Sequence, residues 1–154
     1  MLSVRFEPPA AKYIKKLKEQ AAIPSYGSAE AAGADLYACL ETAVEIAAGG
    51  TAMIPTGLAM ELPEGTVGLV YARSGLASKK GLAPANKVGV IDSDYRGEVM
   101  VALHNHSAQA AVVEPGERIA QLVIAPVLRA AFAETDALSD TVRGEGGFGS
   151  TGRK

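Results

Sequence analysis

The chain has one cysteine, Cys39, among 154 residues. A single thiol can build neither an internal disulfide framework nor a cysteine-based zinc site, and it suits a reducing compartment; Cys39 reads as a small core residue. Histidine is almost as scarce. His104 and His106 alternate along a strand-like segment, and with no third ligand type nearby they do not make a metal centre. Charge of one sign is lacking too: fifteen basic against seventeen acidic side chains leave a formal net charge of −2. That balance excludes a general polyanion binder, so no nucleic-acid partner is expected and any anion site must be local. No apolar run approaches the roughly 18 to 20 residues of a membrane span, and the N-terminus lacks the basic-then-apolar order of a secretory signal. A cytoplasmic protein with no membrane partner is expected.

Glycine, proline and short branched-aliphatic runs are plentiful. Seventeen glycines and eight prolines punctuate Val/Ile/Leu segments, which argues for an all-β fold of the sandwich or jelly-roll kind. Strands are expected at 4–6, 36–38, 43–46, 50–54, 58–61, 66–72, 87–91, 99–105, 111–113 and 118–126. A chain of this length forms one domain, burying roughly two thirds of its unfolded surface. One helix is expected over 8–22, opened by Pro8 and Pro9, where Ala10, Ile14, Leu17 and Ala21 recur at helical spacing beneath a solvated basic face. From Thr141 onward the composition changes to one aromatic among five glycines over 143–152. Such a segment cannot pack a core and should be mobile alone, which divides the chain into a domain at 1–142 and a mobile C-terminal segment at 143–154.

Five segments could carry chemistry. Asp92 directly follows Val90 and Ile91, so a partly desolvated carboxylate with a fixed direction is expected, as a general base for water requires. The alternative is a polar hairpin in which Asp92 caps backbone amides. Asp94-Tyr95-Arg96-Gly97 reads as the hairpin turn, with Gly97 supplying the permissive backbone. In the tail, glycine amides, the Ser150 and Thr151 hydroxyls and the Arg143 guanidinium suit phosphates, and Phe148 suits a flat ring. A P-loop is excluded, because its G-x-x-x-x-G-K-[ST] order is absent. Arg73-Ser74-Gly75 follows a strand and precedes a helix-like pattern at 76–80. Without a G-x-S-x-G elbow or a flanked histidine, Ser74 is no triad nucleophile, so it is read as a phosphate ligand or a helix cap. Asp35 at a strand start and Gln121 within an apolar strand read equally well as a turn acid and a satisfied core amide.

In order, these segments resemble the five motifs of the trimeric dUTPase family, the dUTP nucleotidohydrolases: A-G-A-D-L-Y-A at 32–38, R-S-G-L-A at 73–77, N-K-V-G-V-I-D-S-D-Y-R-G-E at 86–98, G-E-R-I-A-Q-L at 116–122 and R-G-E-G-G-F-G-S-T-G at 143–152. The resemblance spans residues 23–152. It implies a jelly-roll homotrimer with active sites at subunit interfaces, converting dUTP to dUMP and pyrophosphate with Mg²⁺, and so lowering dUTP while supplying dUMP for thymidylate synthesis. It further implies that Asp92 orients and deprotonates the water attacking the α-phosphorus. Arg73, Ser74 and Gly75 would bind phosphate, and Gln121 would help to hold the α-phosphate and the water. Asn86, the backbone of Gly89, Val90 and Ile91, and the backbone around Met100 would read the uracil edge, over a Tyr95 platform for the deoxyribose. Arg143, Phe148, Gly149, Ser150 and Thr151 would form a lid supplied by another subunit. Mg²⁺ would be held by triphosphate and water rather than by protein ligands, leaving Asp35 a supporting or structural role.

Two departures stand out: Ala72 where many relatives have proline, and the long 8–22 segment. Related dCTP deaminases, some bifunctional, share the fold, but the glutamate that drives deamination there corresponds to Ala102 here. A nucleotide-sensing regulatory protein is the alternative outside catalysis.

Overall fold

A computed structural model of the chain describes residues 13–148. Eleven strands and one helix are found among them: β1 (Ile14–Lys16), β2 (Ser25–Tyr26), β3 (Ala34–Tyr37), β4 (Val44–Ile46), β5 (Thr51–Met60), β6 (Thr66–Tyr71), α1 (Ser74–Lys80), β7 (Leu82–Pro84), β8 (Gly89–Asp92), β9 (Glu98–Asn105), β10 (Ala111–Val113) and β11 (Arg118–Pro126). Strands β1-β5-β9-β7 form one sheet, β2-β3-β11-β6-β8 another, and β10 pairs with β4 in a small third. Every pairing is antiparallel. The result is the expected all-β, jelly-roll-like sandwich.

Alternation along the strands builds the core. β9 buries Val99, Val101, Leu103 and Asn105 and turns the residues between them outward, as a period of two requires. Ile54, Leu82 and Leu103 from one large sheet meet Leu36, Val70, Ile119 and Leu122 from the other in a single apolar cluster. Asn105 is buried within this apolar surround with its amide satisfied: Nδ2 donates to the carbonyls of Ile46 and Gln109, and Oδ1 accepts from the amide and hydroxyl of Ser107.

Three local expectations are overturned. Within the described part of 8–22 there is no helix. Ile14–Lys16 instead pairs with Leu58–Met60 on the edge of β5, and only Ala21 is buried, against Cys39 and Leu58. An open strand edge offers a ladder of backbone partners, and those bonds override a helical spacing carried by so few apolar residues. The strands expected at 50–54 and 58–61 are one ten-residue strand whose register shifts between Pro55 and Ala59. Gly57 makes the bulge possible, with φ of 68° and a position where an added Cβ would lie 2.7 Å from Cys39 Sγ. Finally, β8 and β9 are not partners. The turn between them carries the chain from one sheet to the other, so the Asp92 segment is a corner of the sandwich and not a hairpin. The strand expected at 4–6 lies outside the described residues.

After Pro126 the described chain has no regular structure, and residues 127–145 are exposed throughout. Leu128, Phe132, Leu138, Val142 and Phe148 lie open along this arm.

Candidate active site

One group of the expected residues gathers around Asp35. Its Oδ1 accepts from Arg73 Nε at 2.8 Å and its Oδ2 from Arg118 Nη1 at 3.3 Å, with the carboxylate side chain only 13% exposed. Asp35 grips Arg73 through Nε, and among the described residues the Nη edge of that guanidinium has no partner, which leaves it available as a fork that matches phosphate oxygens. Gln121 sits in register with Asp35 on one side and Tyr71 on the other. Its Nε2 donates to the Ala72 carbonyl at 2.9 Å. The contact uses backbone, so alanine serves there as proline would. Gly33 is needed for this arrangement, because a Cβ there would collide with the Gln121 side chain, whose own Cβ is 3.1 Å away.

Arg73 is the N-cap of α1 in extended conformation, and no side chain caps the helix. The capping role considered for Ser74 is therefore not what its hydroxyl does. The first intrahelical bond runs from Ala77 N–H to the Arg73 carbonyl at 3.0 Å, so the amides of Ser74, Gly75 and Leu76 have no partner within the helix. A Cβ on Gly75 would meet nothing within 4 Å, and Gly75 is not in the left-handed region. Neither conformation nor packing within the chain calls for glycine there, which leaves space for an approaching group.

The second group surrounds a cleft of about 360 Å³, lined by Met53, Pro84, Asn86, β8 from Gly89 to Asp92, Tyr95, and β9 from Glu98 to Ala102. Asn86 follows β7 in a tight turn where Lys87 adopts φ of 67°. Gly89 is closely packed, since a Cβ would stand 3.0 Å from that of Val70. Tyr95 folds back over the corner and donates its hydroxyl to the Glu98 carbonyl at 3.0 Å. Its ring lies where a Cβ on Gly97 would be, with Cζ 2.6 Å from that point. Gly97 has no positive φ. The glycine is thus required by the tyrosine ring and not, as expected, by the backbone of the turn.

Asp92 differs from expectation as well. It lies at the end of β8, an edge strand, and is exposed while Ile91 beside it is buried. Alternation turns the acid outward, and no neighbouring strand among the described residues covers it. Asp92 is in register with Val67, whereas Gln121 is in register with Tyr71, four residues further along β6. At about 3.3 Å per residue the two rungs are roughly 13 Å apart. One chain therefore presents the Asp35, Arg73, Ser74 and Gln121 group and the Asp92 group separately.

The described C-terminal candidates, Arg143 and Phe148, join neither. Arg143 Nε donates to the Gly146 carbonyl at 2.7 Å in a local turn, and Phe148 is fully exposed. Gly149, Ser150 and Thr151 lie outside the described residues. Among the described residues no three His, Cys, Asp or Glu side chains converge as a metal site, and no helix is long and apolar enough to cross a membrane.

Two site residues escaped the sequence reading. Arg118 stood inside a noted motif, but its pairing with Asp35 depends on the register shift between Arg118 and Ala120. Met53 reaches the cleft because β5 pairs with β9 opposite Ala102, a neighbour that local sequence does not reveal. Ala102 does line the cleft wall, and Glu98 is turned to the Gly57 amide at 2.9 Å. No carboxylate stands at the position expected for a deaminase.

Comparison with known proteins agrees with this geometry. The dUTPase family model matches residues 19–152. A deoxyuridine 5'-triphosphate nucleotidohydrolase of Desulfitobacterium hafniense is 54% identical over 91% of this chain and 93% of its own length. The protein of that name from Klebsiella pneumoniae is 46% identical over 90% and 92%. Among solved structures, the dUTPase of Staphylococcus bacteriophage 80alpha with dUPNHPP superposes with a TM-score of 0.84 at 29% identity, covering 93% of this chain and 99% of that one. With the motifs, the fold and nearly the whole length in agreement, the chain belongs to the dUTPase family.

Proposed function

We propose that the protein hydrolyses dUTP to dUMP and pyrophosphate. The observation that carries the reading is a cleft lined by Asn86, by β8 from Gly89 to Asp92 and by Tyr95, in a chain matched by the dUTPase family model over residues 19–152. The cleft takes uracil, read by Asn86 and the main chain of Gly89 to Ile91 and around Met100. Tyr95 forms the floor under the deoxyribose, where a ribose 2′-hydroxyl would clash. Arg73, the free amides at Ser74 and Gly75, and Gln121 hold phosphate oxygens.

Asp92 takes a proton from water as that water attacks the α-phosphorus. The new bond joins water oxygen to the α-phosphorus, and the bond to the bridging oxygen breaks in line, releasing pyrophosphate. Such a displacement needs positioning and charge neutralisation more than covalent chemistry. The donor set fits a metal delivered with the substrate, because Asp35 has both oxygens engaged by guanidiniums. Mg²⁺ held by triphosphate oxygens and water neutralises phosphate charge when bound.

The separation of Asp92 from Gln121 along the sheet supports a site completed by a second copy, and we assign the protein to a homotrimer with shared sites. The exposed arm suits an excursion to a neighbouring subunit, with Arg143, Phe148, Gly149, Ser150 and Thr151 closing over base and phosphates. A cytoplasmic location, consistent with one buried thiol, belongs to the same proposal.

The test is to incubate the purified protein and Mg²⁺ with dUTP, dCTP, dTTP and UTP, and to resolve the nucleotide and phosphate products. Selective formation of dUMP and pyrophosphate from dUTP is expected. Uridine products from dCTP would move the protein to the deaminase branch, and tight dUTP binding without turnover would make it a sensor.

A further inference from the structure

Helix α1 has seven residues and a single buried side chain, Leu76 in its first turn, so one apolar anchor leaves the tilt and axial position of so short a helix to its polar contacts. Polar groups hold it at both ends. At the C-terminal end Lys80 Nζ donates to Glu117 Oε1 at 2.6 Å and to the Val112 carbonyl at 2.8 Å. The other Glu117 oxygen accepts the Glu114 amide at 2.9 Å. At the N-terminal end Arg73 is tied through Asp35 to Arg118. Glu117 and Arg118 are consecutive, so one turn at the root of β11 reaches both ends of the helix. The same strand carries Gln121.

We propose that Glu117 is a positioning residue for phosphate binding. It acts through Lys80, setting the axial position of α1 and with it the direction of the Ser74 and Gly75 amides. The inference rests on the reading of Ser74 and Gly75 as phosphate ligands. The Lys80 and Glu117 side chains are 36% and 21% exposed, which shields the pair from water more than a surface ion pair is shielded. Lys80 in the last turn also complements the helix dipole. The uracil cleft is built on β8, β9 and the β7–β8 turn, and neither Glu117 nor Lys80 lines it. Loosening α1 should therefore weaken phosphate binding selectively.

The experiment measures binding of α,β-imido-dUTP with Mg²⁺, and separately of deoxyuridine, to the full-length protein and to Glu117→Gln, Lys80→Met and the double variant, with the thermal midpoint of each. Each single variant is expected to lose about fivefold in affinity for the triphosphate, the size of one partly shielded ion pair, with deoxyuridine affinity unchanged. The double variant should lose no more than either single one, because both remove the same interaction. A lowered thermal midpoint with the triphosphate-to-nucleoside affinity ratio at the wild-type value would overturn the positioning role and leave Glu117 purely structural. Failure of the underlying reading has a different signature: the wild-type protein would then show no preference for the triphosphate over the nucleoside.

Discussion

The two halves of the site are built to different standards. Around Asp35 every charged side chain is held: the carboxylate grips two guanidiniums, Gln121 is tied to backbone, and Gly33 makes room for its amide. Around Asp92 the backbone is equally constrained by close contacts at Gly89 and Gly97, yet the carboxylate itself stands exposed at the end of an edge strand. The half we propose for phosphate is preorganised within the chain, which is efficient for a charge-bearing site because the dipoles need not reorganise on binding. The half we propose for the base is oriented but unshielded. In the proposed trimer its surroundings come from another chain and from the C-terminal arm.

The comparison breaks most directly at Asp92. Asp92→Asn should lower kcat by about a thousandfold, the range of a general base, while α,β-imido-dUTP still binds; turnover within a few fold of wild type would remove Asp92 from its role. Co-expressing that variant with Arg73→Ala should restore activity to about a quarter of the wild-type sites, as random mixing of complementary halves in a symmetric oligomer predicts. No recovery would place both halves of each site in one chain. Removal of 143–154 comes next. Size-exclusion chromatography should find the oligomer intact while hydrolysis falls by about a hundredfold, and a fast truncated enzyme would show that the arm is not a lid. Gly97→Ala should have a smaller effect. The added methyl displaces the Tyr95 ring, so the ratio of kcat/KM for dUTP over UTP should drop about tenfold, and an unchanged ratio would separate Tyr95 from sugar selection. On the phosphate side Asp35→Ala should reduce kcat/KM by about tenfold by freeing two guanidiniums, an effect that Asp35→Asn, which keeps one acceptor, should partly rescue.

Much of this was legible in advance. Strands 111–113 and 118–126 were expected with the bounds they have, because turn residues such as Pro115 and Gly116 bracket strongly apolar runs. The motif order pointed to the family, and the short helix after Arg73 was visible in its pattern. Three things were not. A free strand edge converted Ile14–Lys16 from helical spacing into a strand. A bulge joined two expected strands across Pro55. The partners of Glu117 and Arg118 lie 37 and 83 residues away in the chain, and no local pattern encodes contacts at that range. The glycines divide along the same line. Gly57 and Gly81 combine the positive φ that turn chemistry anticipates with a remote side chain crowding the Cβ position, whereas Gly33 and Gly97 lack positive φ and are glycine only because a remote or folded-back side chain occupies that position.

By itself the sequence determined the fold class, the family, and which side chains are available for chemistry, since periodicity, turn residues and motif order are local and survive reading one residue at a time. The tertiary structure decided which of those side chains meet. Asp35 joins Arg73 and Arg118, and Asp92 joins none of them, because strand register and the passage of the chain from one sheet to the other at residues 93–97 set distances that depend on every pairing at once.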